Sequence, residues 1–277
     1  MTLAVKPLLQ EILADQPSAG FGYQRNILKG YLQVVVLDFM YKHPRYQELF
    51  FYGGSCLAQC YGLPRLSEDL DFVDAAGRIS LIDLAADLAA YFKKETDGEV
   101  KTTIQKFRVY LKFPILKALG LAKASESDLL FLKVEIFPGL PFPKKYETVI
   151  APLFKFNRSV LIKTFDLPTL FATKLRAVLL RKWEKRAPGG ELLARAKGRD
   201  YFDLMWYLDR GVKPNVACIP EVKNFAELKS QLLAVIDRLD ESGIRLDLEP
   251  LISDNAYVEK LGKNLKDILR RQVREMV

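Results

Sequence analysis

The sequence of 277 residues is long enough to bury a full hydrophobic core and to form one large domain or two lobes. Hydrophobic residues make up 49% of it and charged residues 27%, which is typical of a globular protein, and no apolar run approaches the ~18 residues of a membrane span. The formal net charge of +8 favours polyanionic partners such as nucleic acid, although many enzymes that act on small phosphorylated substrates are also basic.

The first 165 residues are predicted to form a mixed sheet flanked by helices. Helical apolar spacing and strand-like alternation follow each other several times, with glycine and proline between them. In chain order the predicted elements are a helix at 25–41, a strand at 49–52, a helix at 56–61, a strand at 70–73, a helix at 79–94, a strand or hairpin at 100–113, and strands at 129–137 and 160–165. Ser55 stands at the predicted N-cap of the second helix.

The remaining residues are predicted to be mostly helical. Pro168 suits the first turn of a helix. The predicted helices of this part are 168–182, 200–208, 225–239 and 258–273. We therefore predict an α+β fold with two domains, a sheet lobe at 1–165 and a helical lobe at 166–277 that contributes to an active-site cleft.

The cysteine and histidine content excludes several kinds of site. Cys56 and Cys60 stand four residues apart without a nearby histidine or third cysteine, so neither a zinc site nor a disulfide framework with Cys218 is predicted. The single histidine, His43, makes a Ser-His-Asp triad or a multi-histidine metal centre a poor hypothesis. The N-terminal residues include acids and lack the apolar core of a signal peptide, so we expect a cytoplasmic protein with no membrane partner.

Two aspartates on a predicted strand are the candidate metal ligands. Asp69 and Asp71 should lie on one face of the strand, while Leu70 and Phe72 point into the core. Two hard oxygen ligands suit Mg²⁺, for which Mn²⁺ can substitute, because the ion takes its other ligands from water and substrate phosphates. Glu135 on the strand at 129–137 is the candidate third carboxylate, which would hold a second ion; the alternative is an ordinary solvent-facing glutamate.

A glycine turn before these aspartates is the candidate nucleotide-binding segment. Gly53 and Gly54 would let phosphate oxygens approach the backbone, and Ser55 would open a helix whose N–H groups and dipole favour negative charge. Arg65 and Ser67 are candidates to bind phosphate or to steady the aspartates. Each motif alone is common in structural turns and strands, so it is their combination that predicts a nucleotide and metal site.

A second candidate region lies in the predicted helical lobe. Lys174, Val178 and Arg181 share one helix face, so the two cations could converge on a triphosphate, although a basic helix face is usually only solvated. Asp200 and Asp203 are three residues apart at the start of the next helix. Asp203 is predicted to be a capping or ion-pair residue.

The sequence resembles the AbiEii/AbiGii toxin group of the DNA polymerase β-type nucleotidyltransferase superfamily. The resemblance rests on GGSCLA at 53–58, RLSEDLDF at 65–72, a lysine helix at 173–181 and KGRDYFDL at 197–204. The family often has threonine in place of Ser55, which preserves the hydroxyl. The resemblance implies a nucleotidyltransferase-type sheet lobe. It also implies that Lys174 contacts phosphate and that Asp200 completes the site, both from the helical lobe.

The resemblance also implies a function. A Mg²⁺-dependent enzyme would transfer a nucleoside monophosphate from an NTP to a hydroxyl of tRNA or of a protein, as the toxin of a type IV toxin–antitoxin or abortive-infection pair with a cognate antitoxin. The basic stretch at 182–198 either contacts an RNA backbone or is a surface loop without that role. Two alternatives are a nucleotide-binding regulator with little transfer activity and an antibiotic-modifying nucleotidyltransferase. The intact Asp69 and Asp71 pair disfavours the first, and the basic charge disfavours the second.

Overall fold

The protein has an α+β fold with a seven-stranded mixed sheet. The computed structural model describes residues 5–16, 19–95, 100–140, 145–181, 184–186, 189–194 and 196–276. The chain divides into two compact units, Met1–Leu140 with Val149–Thr164 and Pro141–Thr148 with Phe165–Val277. In the described part of the chain, no helix is long and apolar enough to cross a membrane.

The large sheet is formed by short strands that follow or precede helices. Its strands are β1 Phe50–Tyr52, β2 Leu70–Val73, β3 Lys101–Gln105, β4 Arg108–Pro114, β5 Leu129–Phe137, β6 Thr148–Lys155 and β7 Arg158–Phe165. They are arranged in the order β3-β4-β5-β2-β1-β7-β6. The helices described in the same unit are α1 Val5–Ala14, α2 Phe21–Lys42, α3 Gly53–Cys60 and α4 Leu81–Glu95.

The pairing of the three central strands places the candidate carboxylates. β2 pairs antiparallel with β1 and parallel with β5, so Asp71 lies opposite Tyr52 on one side and opposite Glu135 on the other. Leu70 and Phe72 alternate with Asp71 and are fully buried, as predicted. The alternation therefore fixes one face of β2 in the core and leaves Asp71 on the other face.

Several predicted elements differ from the structure at their ends. The strands predicted at 70–73 and 129–137 are confirmed without a shift. The prediction of Ser55 as an N-cap is wrong, because α3 begins at Gly53, two residues before Ser55, and its N-cap is Tyr52. Strand β6 was not predicted; Pro152 interrupts its pattern and is tolerated because β6 is at the edge of the sheet.

The second unit consists mainly of helices with acidic or amide caps. Its described elements are α5 Leu167–Leu180, β8 Lys185–Arg186, β9 Leu192–Ala194, α6 Gly198–Asp209, a 3₁₀ turn at Val216–Cys218, α7 Phe225–Ile236, α8 Glu241–Leu248 and α9 Asn255–Glu275. The side chains of Asp166, Asn224, Asp240 and Asp254 cap α5, α7, α8 and α9 by accepting a backbone N–H.

The basic stretch at 182–198 is not simply a loop. Strands β8 and β9 pair antiparallel within it and form a two-stranded ribbon, which corrects the prediction. Residues 182, 183, 187, 188 and 195 lie outside the described residues. The pattern was missed because each strand has at most three residues, too few for alternation to be recognised.

Candidate functional site

Two glycines at the start of α3 lie against functional side chains. Gly53 has a φ of +78°, which favours glycine, and a Cβ added there would lie 2.6 Å from Oδ2 of Asp71. A Cβ added to Gly54 would lie 2.7 Å from Nη2 of Arg65. The two glycines therefore let a carboxylate and a guanidinium group pack directly on the backbone of the turn.

Ser55 and its neighbours hold the segment that precedes β2. The Ser55 side chain is buried; its hydroxyl donates to the carbonyl of Asp69 and lies 2.9 Å from Oγ of Ser67. Arg65 is also buried and donates from Nη1 to the carbonyl of Leu66 at 2.7 Å. In this structure these side chains fix the approach to the aspartates, and their contact with phosphate stays a prediction.

Three carboxylates lie along one face where β2 meets β5. Asp69 immediately precedes β2, and its Oδ2 is 2.6 Å from Nζ of Lys133. The same Nζ is 3.8 Å from Oε1 of Glu135, and Nε of Arg108 is 3.1 Å from that oxygen. Lys133 and Arg108 were not singled out from the sequence as site residues, although Lys133 alternates with Glu135 on β5 and must share its face.

The electrostatic environment keeps Lys133 charged. Burial lowers its pKa, but the negative charges of Asp69 and Glu135 and the hydrogen bond to Asp69 outweigh burial and raise its pKa. The ammonium therefore stays protonated at neutral pH. Together with Arg108 it balances most of the negative charge that the three carboxylates bring to this face.

The donor set fits a hard cation such as Mg²⁺ only if Lys133 moves. Asp71 and Glu135 are register partners on parallel strands and offer oxygen atoms alone, which suits an ion that keeps water and phosphate ligands. Among the residues that the structure describes, no group of three or more His, Cys, Asp or Glu side chains is arranged to hold a metal ion. The ammonium of Lys133 instead contacts Asp69, so metal binding at Asp69, Asp71 and Glu135 stays a prediction.

A second cluster of charges is buried between α5 and α6. Nζ of Lys174 lies 2.9 Å from Oδ1 of Asp200 and 2.7 Å from Oδ2 of Asp203. Arg181, the C-cap of α5, donates to the other oxygen of Asp200. Burial alone would raise the pKa of Asp200, but the charges of Lys174 and Arg181 lower it to about 2. The prediction of Asp203 as an ion-pair residue is confirmed.

The comparison with known families identifies the family of this chain. The family model of the nucleotidyl transferase AbiEii toxin, Type IV TA system, matches residues 38–275. The chain belongs to the AbiEii family. It is therefore a nucleotidyltransferase of a toxin–antitoxin family, as the sequence motifs predicted. An NTP substrate and an antitoxin partner follow from this membership at the level of the family.

Two solved structures match this chain at low sequence identity. The crystal structure of JHP933 from Helicobacter pylori matches with a TM-score of 0.50 and 17% identity, over 91% of this chain and 93% of that one. A putative nucleotidyltransferase from H. pylori matches with a TM-score of 0.46 and 18% identity, over 90% and 96% of the two chains. The similarity to JHP933 supports the α+β fold alone. A search of curated proteins finds no match.

The predicted AbiEii site residues fall into two sets. Asp69, Asp71 and Glu135 belong to the first unit, whereas Lys174 and Asp200 belong to the second. Their convergence in one cleft stays a prediction.

A further cation near the second set, Lys197, was not among the predicted site residues. Burial, together with the charges of Arg199 and Arg181, lowers the pKa of Lys197 beside the start of α6. A signal was present, because Lys197 opens the KGRDYFDL segment that carries Asp200.

Proposed function

We propose that this AbiEii-family enzyme transfers a nucleoside monophosphate from an NTP to the 3′ hydroxyl of tRNA and thereby acts as the toxin of its pair. Family membership supports nucleotidyl transfer and the toxin–antitoxin context. The observation that carries the proposal for the site is the Asp71 carboxylate against Gly53, with Glu135 opposite it on the neighbouring strand. The carboxylates therefore lie beside the N-terminus of α3.

In this proposal the first unit holds the metal and the triphosphate. Asp69, Asp71 and Glu135 bind Mg²⁺ or Mn²⁺, one ion or two. When bound, the metal neutralises charge on the transferred phosphate and lowers the pKa of the acceptor hydroxyl. The N–H groups of Gly53 and Gly54 face the triphosphate at the start of α3.

The side chains around this turn are proposed to hold the site in position. Ser55, Arg65 and Ser67 keep the turn and the aspartates in place through the hydrogen bonds described above. Arg65 and Ser67 are also the proposed donors to phosphate oxygens. The side chains of Arg65 and Ser67 already form hydrogen bonds within the protein. To bind phosphate as well, they must keep those bonds while they contact the nucleotide.

The second unit is proposed to complete the site. Lys174 and Arg181 supply positive charge for the triphosphate, and Asp200 orients both cations. Because Asp203 is a second carboxylate partner of Lys174, the ammonium of this lysine has little freedom to move and acts as a fixed charge. The proposed domains are 1–165 and 166–277.

An RNA acceptor is favoured by charge. The net charge of +8 and the basic stretch at 182–198 both favour a polyanion. A tRNA acceptor would place the reaction in the cytoplasm. A protein hydroxyl is the other acceptor that the same chemistry allows, and the assay below distinguishes the two.

The test is transfer of label from each α-³²P NTP in turn to total tRNA, with Mg²⁺ and purified protein. Asp71→Asn preserves shape and removes a carboxylate charge, and Asp83→Asn is the matched control because Asp83 forms only an exposed ion pair with Arg45. We expect labelled tRNA with the wild type and with Asp83→Asn, and at least ~100-fold less with Asp71→Asn, because loss of a ligand should exceed the ~10–100-fold cost of losing the hydrogen-bond partner of a ligand. The proposal would be contradicted if only protein were labelled. It would also be contradicted if none of the NTPs gave any label.

Lys174 is a poor choice for this first test. Its replacement would leave Asp200 and Asp203 without their shared buried partner and would lower stability as well as activity. Asp71 lies on the more open face of β2, so Asp71→Asn is expected to fold. Equal melting temperatures of Asp71→Asn and Asp83→Asn would confirm that lost transfer reports on the site.

A further inference from the structure

The position of Lys133 has a consequence for how metal and nucleotide bind. Its ammonium contacts Asp69 at 2.6 Å and reaches Glu135 at 3.8 Å, so it lies among the carboxylates that are proposed to hold the metal. A divalent cation bound to the same oxygens would be repelled by an ammonium a few ångströms away. Lys133 and the metal therefore compete for Asp69.

Lys133 is able to leave, whereas Arg108 is held. The Lys133 and Arg108 side chains are similarly exposed, at 30% and 27%, but Lys133 carries its ammonium on a flexible four-carbon stem and can turn to a new partner. The guanidinium of Arg108 lies 4.6 Å from the ring centre of Phe107 and contacts Glu135 as well. When one of the two cations must give way, Lys133 is the one that moves.

We propose that Lys133 is a built-in counter-ion that exchanges Asp69 for a phosphate oxygen of the NTP when the metal enters. The inference rests on the proposed function, because it takes Asp69, Asp71 and Glu135 as the metal site. Without substrate the ammonium neutralises the carboxylates. With substrate it neutralises phosphate, and the metal takes over the carboxylates.

This exchange couples the two ligands. A metal ion that binds alone displaces Lys133 from Asp69 and leaves its charge without a partner beside the ion. A triphosphate that binds alone meets carboxylates that have lost their counter-ion. Only the two together satisfy all the charges, so each is expected to strengthen binding of the other.

The test compares Lys133→Met with Lys112→Met. Lys112 lies on the neighbouring strand β4 near the ring of Phe131, so its replacement removes the same charge from the sheet without touching the carboxylates. Binding of Mn²⁺ is measured by electron paramagnetic resonance without nucleotide. Binding of inorganic tripolyphosphate is measured by titration calorimetry in EDTA, so neither readout depends on catalysis or on the identity of the base.

The expected changes have opposite signs. Lys133→Met should bind Mn²⁺ about tenfold more tightly than the wild type, since a competing cation is gone, and tripolyphosphate at least fivefold more weakly, within the range of ordinary coupling between sites. Lys112→Met should match the wild type in both. A purely structural lysine would weaken both ligands or neither, and either result would overturn the inference.

One further variant separates this inference from the proposed function. Asp71→Asn should abolish the Mn²⁺ signal that the wild type gives. If wild type and Asp71→Asn bind Mn²⁺ alike, the metal site is elsewhere and both proposals are wrong. If Asp71→Asn loses Mn²⁺ while Lys133→Met binds as the wild type does, the metal site stands and the exchange is wrong.

Discussion

Replacing Lys174 by methionine should destabilise the protein strongly at neutral pH. The variant keeps the length of the side chain and removes the charge that Asp200 and Asp203 share, at a site where Asp203 is fully buried. Breaking a buried ion pair by removing one partner costs about 3–5 kcal/mol. Since Arg181 still contacts Asp200, we expect the lower value, about 3 kcal/mol of unfolding free energy.

The pKa of Asp200 gives an independent estimate and a pH dependence. Its folded pKa of about 2 is below the ~3.9 of an unfolded aspartate, so the cations around Asp200, Lys174 and Arg181 foremost, together contribute roughly 2–3 kcal/mol that is fully present above pH ~4 and is lost as the pH falls through 2. In Lys174→Met, Asp200 stays buried and loses the first of the charges that lower its pKa, so we expect this pKa to rise. As the pH falls, the buried Asp200 carboxylate therefore takes up a proton in the variant at a higher pH than in the wild type, which removes a destabilising charge from the variant. The difference in unfolding free energy between the two proteins should shrink between pH 7 and pH 4.

The assay is urea unfolding at both pH values, followed by tryptophan fluorescence, to which Trp206, buried in α6, contributes. Lys260→Met on the exposed face of α9 is the control and should change stability by less than ~0.5 kcal/mol. A loss below ~1 kcal/mol for Lys174→Met, or a loss that is the same at pH 7 and pH 4, would refute the reasoning about the buried cluster.

Two further predictions concern glycines. Gly53→Ala should lose nucleotidyl transfer as well as ~1–2 kcal/mol of stability, since its Cβ would displace Asp71; Gly77→Ala, with a φ of +64° and no atom within 4 Å of a Cβ, should show the strain alone and keep activity. Gly198→Ala should cost ~1–3 kcal/mol in thermal or urea unfolding, because its Cβ would lie 2.7 Å from Cα of Ile244, whereas Gly30→Ala in α2, where the space is open, should be neutral or stabilising. Equal stability of Gly198→Ala and Gly30→Ala would contradict the predicted clash.

Much of the fold could be predicted from local patterns. Leu70 and Phe72 alternate with the aspartates, and the run at 129–137 alternates in the same way, so both strands were found with their boundaries. The strand at 148–155 was missed because Pro152 interrupts it and because Phe154 is exposed at a sheet edge. Local patterns fail where an edge position relaxes the usual preferences.

The candidate site could be predicted only in part, because its contacts join distant segments. Spacing indicated that Asp71 leaves the core face, but only the parallel pairing of β2 with β5 brings it opposite Glu135. The partner of Asp69 is Lys133, some sixty residues away in sequence, and no periodicity reports such a pair. Lys174 was predicted from helical spacing, whereas its two carboxylate partners depend on how α5 packs on α6.

The acceptor that we propose for this AbiEii-family enzyme is the 3′ hydroxyl of tRNA. Periodate oxidation cleaves the terminal ribose diol and removes that hydroxyl while it leaves the rest of the tRNA intact. Intact and oxidised tRNA are therefore incubated in parallel with the protein, Mg²⁺ and labelled NTP. We expect label on intact tRNA and none on oxidised tRNA. Equal label on both would show transfer to another position and would contradict the claim.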